Sequence, residues 1–390
     1  MQTVWLLAVT QALCMSGSFL FFLLGGIVGS SLAPSPGIAT LPVSVLIAGV
    51  ASGVLPAGAL IRRHGRRTVF IGSALLACLG CIGAGLAIAA QHFWLFCAAS
   101  LVLGVNNAVV MQYRFTAVEY VAPERASRAI SLVLSGALAA AWLGPEIAVR
   151  TSELLPGARF AGSFLSASAF YLVAALLLTR LPDSPAAAAT AAQAPRRLSE
   201  IAAQWDYRVA VLAAVVSYAA MSFIMTATPV SMHVVDGHDE IATARVIQGH
   251  LLGMYVPSLA SGWVIARFGD RPMIVTGALL MASCIAIAAF AGHAVMHYGI
   301  ALVLLGIGWN FMFIAATTLL TRTYRPYERV AAQTLNDFLV FGAQAVASLL
   351  AGVALATIGW TWLNLAALPL LVAVVAVTLP GLVPRRTPAA

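Results

Sequence analysis

Long apolar runs alternate with short polar segments along the whole chain. Each run reaches about 20 residues, the length that a helix needs to cross the ~30 Å hydrocarbon layer of a membrane. Lipid offers backbone amides no hydrogen-bond partners, so such runs favour helices, which satisfy their own. The predicted spans lie at residues 4–28, 39–61, 68–90, 93–118, 128–149, 159–180, 208–232, 242–265, 272–292, 295–321, 330–356 and 361–380. The pattern therefore predicts an all-α integral membrane protein with twelve transmembrane helices.

Composition agrees with this pattern. Hydrophobic residues make up 61% of the chain and charged residues 9%, whereas a soluble globular protein has about 25% charged residues. All five cysteines fall inside predicted spans, so we expect them to pack within the protein rather than form disulfides or bind metal.

The arginines predict the orientation, since the chain contains no lysine. With both termini in the cytoplasm, seventeen arginines lie in the inner loops and tail and three in the outer loops. Cytoplasmic loops of membrane proteins carry such an excess of positive charge. We therefore expect a multi-pass protein of a bacterial-type inner membrane with cytoplasmic termini. Its net charge of +8 is then a topological signal, and no nucleic-acid partner is expected.

The longest polar interval, residues 181–206, is rich in alanine and proline and predicts a cytoplasmic linker between bundles at 1–180 and 207–390. The two halves match each other at a fixed offset of 204 residues. The coincidences include Gly49 with Gly253, Gly58 with Gly262, Gly65 with Gly269, Gly104 with Gly308 and Asn106 with Asn310. A constant offset indicates a duplication, and paired repeats around a midplane site are typical of secondary transporters.

The loop after the second span reads GALIRRHGRR, and its counterpart in the second half reads GWVIARFGDR. Both resemble the major facilitator superfamily motif Gly-x-x-x-Asp-Arg-x-Gly-Arg-Arg. The matching positions are Gly58, Arg63, Gly65, Arg66 and Arg67 in the first copy, and Gly262, Arg267, Gly269 and Arg271 in the second. The whole chain is similar to a twelve-span member of this superfamily. The resemblance implies two pseudo-symmetric six-helix bundles that alternate access to a central site.

The same resemblance implies gating at the inner face. The implied gating residues are Gly58, Arg62, Arg63, Gly65, Arg66, Gly262, Arg267 and Gly269, with Arg125, Glu328 and Arg329 from the loops after the fourth and tenth spans. Arg62 stands where the family pattern has an acid, so we expect a charge swap in which Glu328 is its partner. Ala266 replaces the same acid in the second copy, and Ser100 occupies the position of a family arginine. These departures argue against a standard drug/proton antiport mechanism.

Polar residues in the fourth span predict part of a substrate site. On a continuous helix Asn107, Met111 and Arg114 share one face, and Tyr113 lies on the adjacent one. The resemblance places this span along the central cavity, where the planar guanidinium of Arg114 could clamp a carboxylate or phosphate. In the alternative, Arg114 reaches the inner surface and pairs with Glu119.

The eleventh span carries Gln333, Asp337 and Gln344 on one stripe. Asp337 is the acid that lies well inside a span, where burial favours the neutral form of a carboxyl group. We therefore predict that Asp337 is the proton-coupling group, with a permanent ion pair as the alternative.

Aromatic residues point to the kind of solute. Asn310 lies among aromatic residues of the tenth span, and Phe223 belongs to a similar group in the seventh. With Gln333 these side chains are predicted to bind a mostly apolar or aromatic solute. Glu146 and Arg150, four residues apart, predict an ion pair at the outer end of the fifth span, with a gate as the alternative.

The sequence thus predicts a secondary active transporter for a small amphipathic or aromatic solute, coupled to protons. A partial motif at Gly144 and Pro145 favours export slightly over the alternative, proton-coupled uptake of a nutrient or vitamin. A receptor or membrane-embedded enzyme on the same scaffold is the alternative from another class, but an enzyme needs clustered polar groups at a cavity, and the acids inside the spans are too few and too scattered. The expected partners are the bilayer, the solute and protons, with no cofactor, no metal and a monomeric state.

Overall fold

The structure, a computed structural model, describes residues 1–122, 126–182, 196–325 and 328–381, without the side chains of residues 118, 126–128, 130, 131, 134, 329, 330 and 381. Its α-helices are α1 Gln2–Leu32, α2 Leu41–His64, α3 Arg66–Ala89, α4 Phe93–Val110, α5 Tyr113–Glu119, α6 Ala126–Arg150, α7 Ala161–Leu178, α8 Leu198–Ala203, α9 Trp205–Pro229, α10 Glu240–Tyr255, α11 Ser258–Phe268, α12 Asp270–Phe290, α13 Val295–Thr321, α14 Arg329–Ala366 and α15 Leu368–Thr378. No strand occurs in the described ranges.

The helices reproduce the apolar runs of the sequence. By length and composition, nine helical segments of the described chain can cross a membrane, or ten when α10 and α11, bent by 41°, count as one span. The segment Ala331–Thr378 is counted once, but Gly359 interrupts it with a φ of 74°. This break falls between the predicted spans at 330–356 and 361–380. The predicted fifth span lies in α6, so the twelve predicted spans are consistent with the described helices.

The Cα positions group into two compact units. Unit 1 comprises Met1–Ala188, Thr226–Gln248 and Ser348–Thr357; unit 2 comprises Ala189–Met225, Gly249–Ala347 and Ile358–Ala390. In unit 1, α1 packs against α6, α7 and α4. In unit 2, α12 packs against α13 and α15.

The core of unit 1 includes a cluster of three phenylalanines. Phe21, Phe96 and Phe164 come from α1, α4 and α7, and their ring centroids lie 5.3 to 5.7 Å apart. Phe21 and Phe96 stack, and Phe164 meets both rings edge-on. Such offset and edge-to-face arrangements add about 0.5–1.5 kcal/mol per pair to the burial of the rings. The cluster therefore ties three helices of the first half together.

Glycines let helices approach closely at similar places in the two halves. A Cβ atom on Gly104 would lie 2.0 Å from the carbonyl oxygen of Leu46, and Gly49 lies at the same crossing. In the second half, a Cβ atom on Gly306 would lie 2.5 Å from the carbonyl oxygen of His250, beside Gly253. Close backbone approach through small residues is how helices pack in membranes. Both crossings match the repeat inferred from the sequence, although the second uses Gly306 rather than Gly308.

The two motif loops are tight turns between consecutive helices. Gly65 joins α2 to α3 with a φ of 79°, and Gly269 joins α11 to α12 with a φ of 90°. Residues with a Cβ atom rarely adopt this conformation, so glycine is required at both turns. The turns place the first residues of α3 and α12, Arg66 and Asp270, at equivalent points of the repeat.

Candidate functional site

Arg66 binds residues at the end of the span that follows α3. Its Nε donates to Glu119 Oε2 at 2.8 Å, its Nη2 donates to Glu119 Oε1, and its Nη1 donates to Thr116 Oγ1 at 2.8 Å. This two-pronged geometry is the strong form of an arginine–carboxylate pair. Glu119 thus pairs with Arg66, and the predicted alternative in which it also pairs with Arg114 stays a prediction.

The second copy has an ion pair at the equivalent place with the charges exchanged. Asp270, which corresponds to Arg66 at the 204-residue offset, lies 2.8 Å from Arg322 Nη1. Arg322 is one residue from Thr323, the counterpart of Glu119. Asp270 is 6% exposed, so Arg322 compensates a charge that is largely removed from water. Each repeat thus carries one ion pair between the motif turn and the end of a later span.

Three further arginines of the motif lie at the surface of these turns. Arg62, Arg63 and Arg267 are exposed. A Cβ atom added to Gly58 would lie near the Arg62 guanidinium, and one added to Gly262 would have open space around it. Gating by these residues stays a prediction. Arg125 and the side chain of Arg329, also predicted to gate, lie outside the described residues.

Glu328 has a partner that the sequence did not suggest. Arg196 binds it through the backbone amide at 3.1 Å, Nε at 2.7 Å and Nη2 at 2.6 Å, and the Arg325 amide adds a bond of 2.9 Å. Arg196 supplies three of these four donors, and the expected swap with Arg62, which belongs to unit 1, stays a prediction. The hydrogen bonds from Arg196 lower the pKa of Glu328 to about 2, so Glu328 is ionised at neutral pH.

Arg196 and its neighbours fasten the last part of the linker to unit 2. Gln204 donates to the carbonyl oxygen of Thr323 at 3.0 Å, and Arg196 Nη2 donates to the same oxygen at 3.3 Å. Tyr207 donates to the carbonyl oxygen of Ala332 at 3.0 Å. Sequence analysis missed Arg196, since its partner lies 132 residues away and the linker has no periodic pattern.

The fourth span is not one continuous helix. α4 ends at Val110 and α5 begins at Tyr113, with Gln112 N bonded to Val109 O at 2.9 Å in a tighter turn. This turn corrects the prediction of one continuous helix, while the shared face of Asn107 and Arg114 stays a prediction. Asn107 and Arg114 are each half-buried.

Tyr113 and Arg114 diverge at the start of α5. Tyr113 is fully buried and packs on Phe70 with ring centroids 4.6 Å apart. The Arg114 guanidinium carbon lies 4.7 Å from the centroid of the Phe115 ring. Tyr113 is thus part of the unit 1 core, whereas Arg114 keeps part of its surface accessible.

Asp337 and its predicted companions lie along α14. Asn336 Nδ2 donates to Asp337 Oδ1 at 3.1 Å, and Gln333 Nε2 donates to the Tyr324 hydroxyl at 2.7 Å. Asp337 is half-buried and Gln344 is buried. The stripe therefore combines one carboxyl group with two amide side chains.

Asn310 has its amide committed inside unit 2. Its Nδ2 donates to Met254 O at 2.6 Å and to Ser258 Oγ at 2.5 Å, while its Oδ1 accepts from Ser261 Oγ at 2.7 Å. Asn310 is completely buried. These bonds join α13 to α10 and α11, which gives the side chain a role in packing. Phe223, also predicted to contact substrate, is half-buried on α9.

Four helices of unit 2 contribute aromatic rings to one cluster, here called the aromatic cluster. Its members are Tyr218 from α9, Tyr255 from α10, Trp309 and Phe313 from α13, and Phe341 from α14. Trp309 and Phe313 stack with centroids 5.3 Å apart. Tyr218 meets Trp309, Phe313 and Phe341 edge-on at 5.1, 4.9 and 5.7 Å, and Tyr255 lies 6.5 Å from Trp309. Of the kinds of side chain predicted to bind the solute, the aromatic ones thus form a cluster in the structure.

Unit 1 contains a polar network at the end of α6. Arg150 Nε donates to Glu146 Oε1 at 2.6 Å, as the spacing predicted, and Arg245 Nη1 donates to Glu146 Oε2 at 3.1 Å. Elsewhere in unit 1, Ser348 Oγ lies within hydrogen-bond distance of Ser44 Oγ and Thr226 Oγ1, at 3.1 and 3.0 Å. Sequence analysis missed the pairing with Arg245, which lies 99 residues from Glu146.

Over the part of the chain that the structure describes, no three histidine, cysteine or acidic residues are placed to hold a metal ion. The long apolar helices, the repeated turns and the intramembrane polar residues define a multi-pass membrane protein of the transporter class. Comparison with known proteins specifies the family. The family model described as Major Facilitator Superfamily matches residues 6–255 and 210–390, so the chain belongs to the major facilitator superfamily.

Curated relatives agree with this assignment. The riboflavin transporter RfnT of Brucella anthropi is 39% identical over 389 residues, which cover 99% of this chain and 96% of the relative. Two uncharacterized MFS-type transporters of Bacillus subtilis, YdeG and YddS, are each 28% identical to this chain. The match to YdeG covers 93% of this chain and 88% of YdeG. The match to YddS covers 87% of this chain and 82% of YddS.

A solved structure shows the same fold. It is a bacterial homologue of the human lysosomal transporter Spinster in an inward-facing and occupied conformation. The match has a TM-score of 0.73 at 15% identity and covers 97% of this chain and 95% of the other. At this level of identity the likeness concerns the fold alone.

Proposed function

We propose that this protein takes up riboflavin, or a vitamin with a similar planar ring, across a bacterial plasma membrane by secondary active transport. The observation that carries the proposal is the 39% identity to a riboflavin transporter over 99% of the chain. It favours the vitamin alternative over the slight preference for export, which rested on a two-residue motif fragment.

The side chains of the described structure suit such a solute. Riboflavin joins an uncharged fused-ring system to a polyol chain. Ligand sites for molecules of this kind are mostly apolar, with a few polar groups that fix orientation. The aromatic cluster offers ring surface, and Gln333 and Gln344 offer amide groups on α14, the helix that carries Phe341. Neither part of the solute requires a fixed opposite charge.

Asp337 supports the proposal that uptake is coupled to protons. An acid within a membrane span is costly unless it has a function or a partner, and such residues often carry protons in transporters. Asn336 donates one hydrogen bond to Asp337, and Phe341 is one helical turn further along α14. A carboxyl group in this position can bind a proton from one side and release it to the other as the surroundings change.

Alternating access also needs contacts that break and re-form. Unit 1 has the Arg66–Glu119 pair at its predicted inner end and the Glu146–Arg245 pair at its predicted outer end. We propose that these pairs take part in gating, in a protein that works as a monomer in the bilayer. A non-transporting receptor or an enzyme is less favoured, because the family and the characterised relative are transporters.

Growth of a riboflavin auxotroph that lacks its own carrier tests the substrate and the direction together. Expression of this protein should restore growth at a low external riboflavin concentration that does not support the parent strain. An exporter would instead raise the riboflavin requirement. No change in the requirement, with the protein present in the membrane, would argue against riboflavin as the substrate.

Proton coupling has a separate test in proteoliposomes. An imposed pH gradient should drive riboflavin accumulation by the wild type, and Asp337→Asn should retain exchange without accumulation. Asp239→Asn is the matched control, since Asp239 caps a helix start by accepting a bond from Ala242 N. Gradient-driven accumulation by Asp337→Asn at the wild-type level would exclude Asp337 as the coupling group.

A further inference from the structure

The aromatic cluster combines buried anchors with accessible ring surface. Trp309 is 5% and Phe341 7% exposed, whereas Tyr218, Tyr255 and Phe313 are half-buried. Rings from four helices converge there, so the accessible surface belongs to a wall of several unit 2 side chains rather than to a single isolated side chain. A ring that lies partly exposed next to stacked partners can accept a further ring on its free surface.

Trp309 adds a polar group to this wall. Its indole Nε1 is buried and has no hydrogen-bond partner among the described residues. A buried donor without a partner costs about 1–3 kcal/mol, so native structures rarely leave one without a reason. A ligand that carries a carbonyl oxygen or ring nitrogen would satisfy it. The donor therefore selects planar rings with an acceptor at the edge over plain hydrocarbons.

Residues of α14 show how far the aromatic cluster lies from Asp337, the predicted proton carrier. Asp337 and Phe341 are four residues apart, and side chains at this spacing lie on one face of a helix with about 5–6 Å between their Cβ atoms. Phe341 contacts Tyr218, with ring centroids 5.7 Å apart. A ring bound against Tyr218 and Phe313 would therefore lie about one helical turn from Asp337.

We propose that the aromatic cluster is the subsite for the planar ring of the transported solute, and that the Trp309 indole N–H donates a hydrogen bond to an acceptor on the ring edge. This inference rests on the proposed function and extends it, since it assigns recognition of the ring to unit 2 side chains. The polyol chain lies outside the cluster. Ring recognition then accounts for most of the affinity, and the polyol contributes less.

Binding of riboflavin and of lumichrome, which has the ring system without the ribityl chain, to the purified full-length protein tests the subsite. Trp309→Phe keeps a ring but removes the N–H, so both ligands should bind about tenfold more weakly, as expected for one lost hydrogen bond. Trp309→Leu removes ring and donor and should weaken both further. Quenching of flavin fluorescence by the indole at the edge of the bound ring should also decrease in Trp309→Leu, an effect that a purely structural role would not produce.

Two exposed aromatic residues supply matched controls. Trp362→Phe is the control for Trp309→Phe, because Trp362 is 64% exposed. Phe338→Leu is the control for Phe341→Leu, because Phe338 lies on the same helix and is 68% exposed. Both controls should bind riboflavin like the wild type, and thermal unfolding identifies any variant that has lost its fold.

The outcomes separate the subsite from the proposed function. If the wild type binds riboflavin and Trp309→Phe, Trp309→Leu and Phe341→Leu bind it with the same affinity, the proposed subsite is wrong. The proposed function is then unaffected. Weakened binding of riboflavin but not of lumichrome would also overturn the subsite, since the contact would then not be to the ring. No binding of either ligand by the wild type would contradict the proposed function and the subsite together.

Discussion

Arg66 donates hydrogen bonds to both carboxylate oxygens of Glu119, which lies 53 residues further along the chain. The pair joins the turn after α2 to the end of α5. At the equivalent turn of the second half, Asp270 pairs with Arg322. The duplicated halves therefore keep an ion pair at one structural position while its charges have been exchanged. This exchange is a charge swap between the two copies of the motif, and the sequence analysis did not predict it.

Reversal of the first pair should be tolerated only when both charges change. Arg66→Glu puts two acids together and should destabilise the protein by about 1–2 kcal/mol, a value between exposed and buried pairs, since both side chains are partly exposed. Arg66→Glu with Glu119→Arg should recover most of the loss in thermal unfolding and in riboflavin uptake. Arg67→Glu, at an exposed neighbour, is the control and should have little effect on stability. A double variant no better than the single one would contradict the pairing.

Asp270 should depend on Arg322 more than Glu119 depends on Arg66. Arg322→Ala leaves the largely buried Asp270 carboxylate without its cation, which should cost about 2 kcal/mol of unfolding free energy. Adding Asp270→Asn removes the charge and should return much of that stability. Thermal unfolding of the purified variants measures both steps. Equal losses in Arg322→Ala and the exposed-site variant Arg267→Ala would show that the pair contributes nothing specific.

The linker anchor should persist at every physiological pH. The lowered pKa of Glu328, about 2 against an ordinary 4.5, means that the anchor stabilises fully above about pH 4.5. That stabilisation is lost as the pH falls through about 2. At neutral pH, Glu328→Gln should release Arg196 and increase tryptic cleavage after Arg196 and Arg197.

Limited proteolysis followed by mass spectrometry measures this cleavage. Glu200→Gln, at an exposed acid of α8, is the control and should be cut at the wild-type rate. Equal cleavage of wild type and Glu328→Gln would show that the linker is held by other contacts.

The helix crossing at Gly104 should not accept a larger side chain. Its added Cβ would lie 2.0 Å from the carbonyl oxygen of Leu46, so Gly104→Ala should force α2 and α4 apart and cost about 1–3 kcal/mol or more. Gly83→Ala on α3 is the matched control, since nothing lies within 4 Å of its Cβ. Because alanine favours helices over glycine, this control should be neutral or slightly stabilising. Thermal unfolding distinguishes the two, and equal stability would contradict the close crossing.

Local sequence signals predicted the parts of the fold that depend on short stretches of chain. Apolar length predicted the helices, and the motif resemblance predicted loops at the places where Gly65 and Gly269 turn the chain with positive φ. The tighter turn at Gln112 has no such signal, so the face shared by Asn107 and Arg114 was predicted for a helix that is interrupted there.

Pairings between distant residues were the harder part of the candidate site. Two ion pairs depend on how distant segments pack, which hydrophobic patterns do not specify. They are Arg196 with Glu328 and Arg245 with Glu146. Asp270 with Arg322 was within reach, because the 204-residue offset places Arg322 beside the counterpart of Glu119. Aromatic residues of the seventh and tenth spans suggested an aromatic solute, but their convergence with Phe341 is visible only in the packed helices.

Counterflow in proteoliposomes tests the central claim most directly, because it needs only the purified protein and one solute. Vesicles loaded with unlabelled riboflavin should transiently accumulate external labelled riboflavin well above that in protein-free vesicles, and Trp362→Phe should behave like the wild type. Accumulation should be competed by excess lumichrome and not by ribitol. No accumulation of labelled riboflavin by folded, reconstituted wild-type protein would contradict the account.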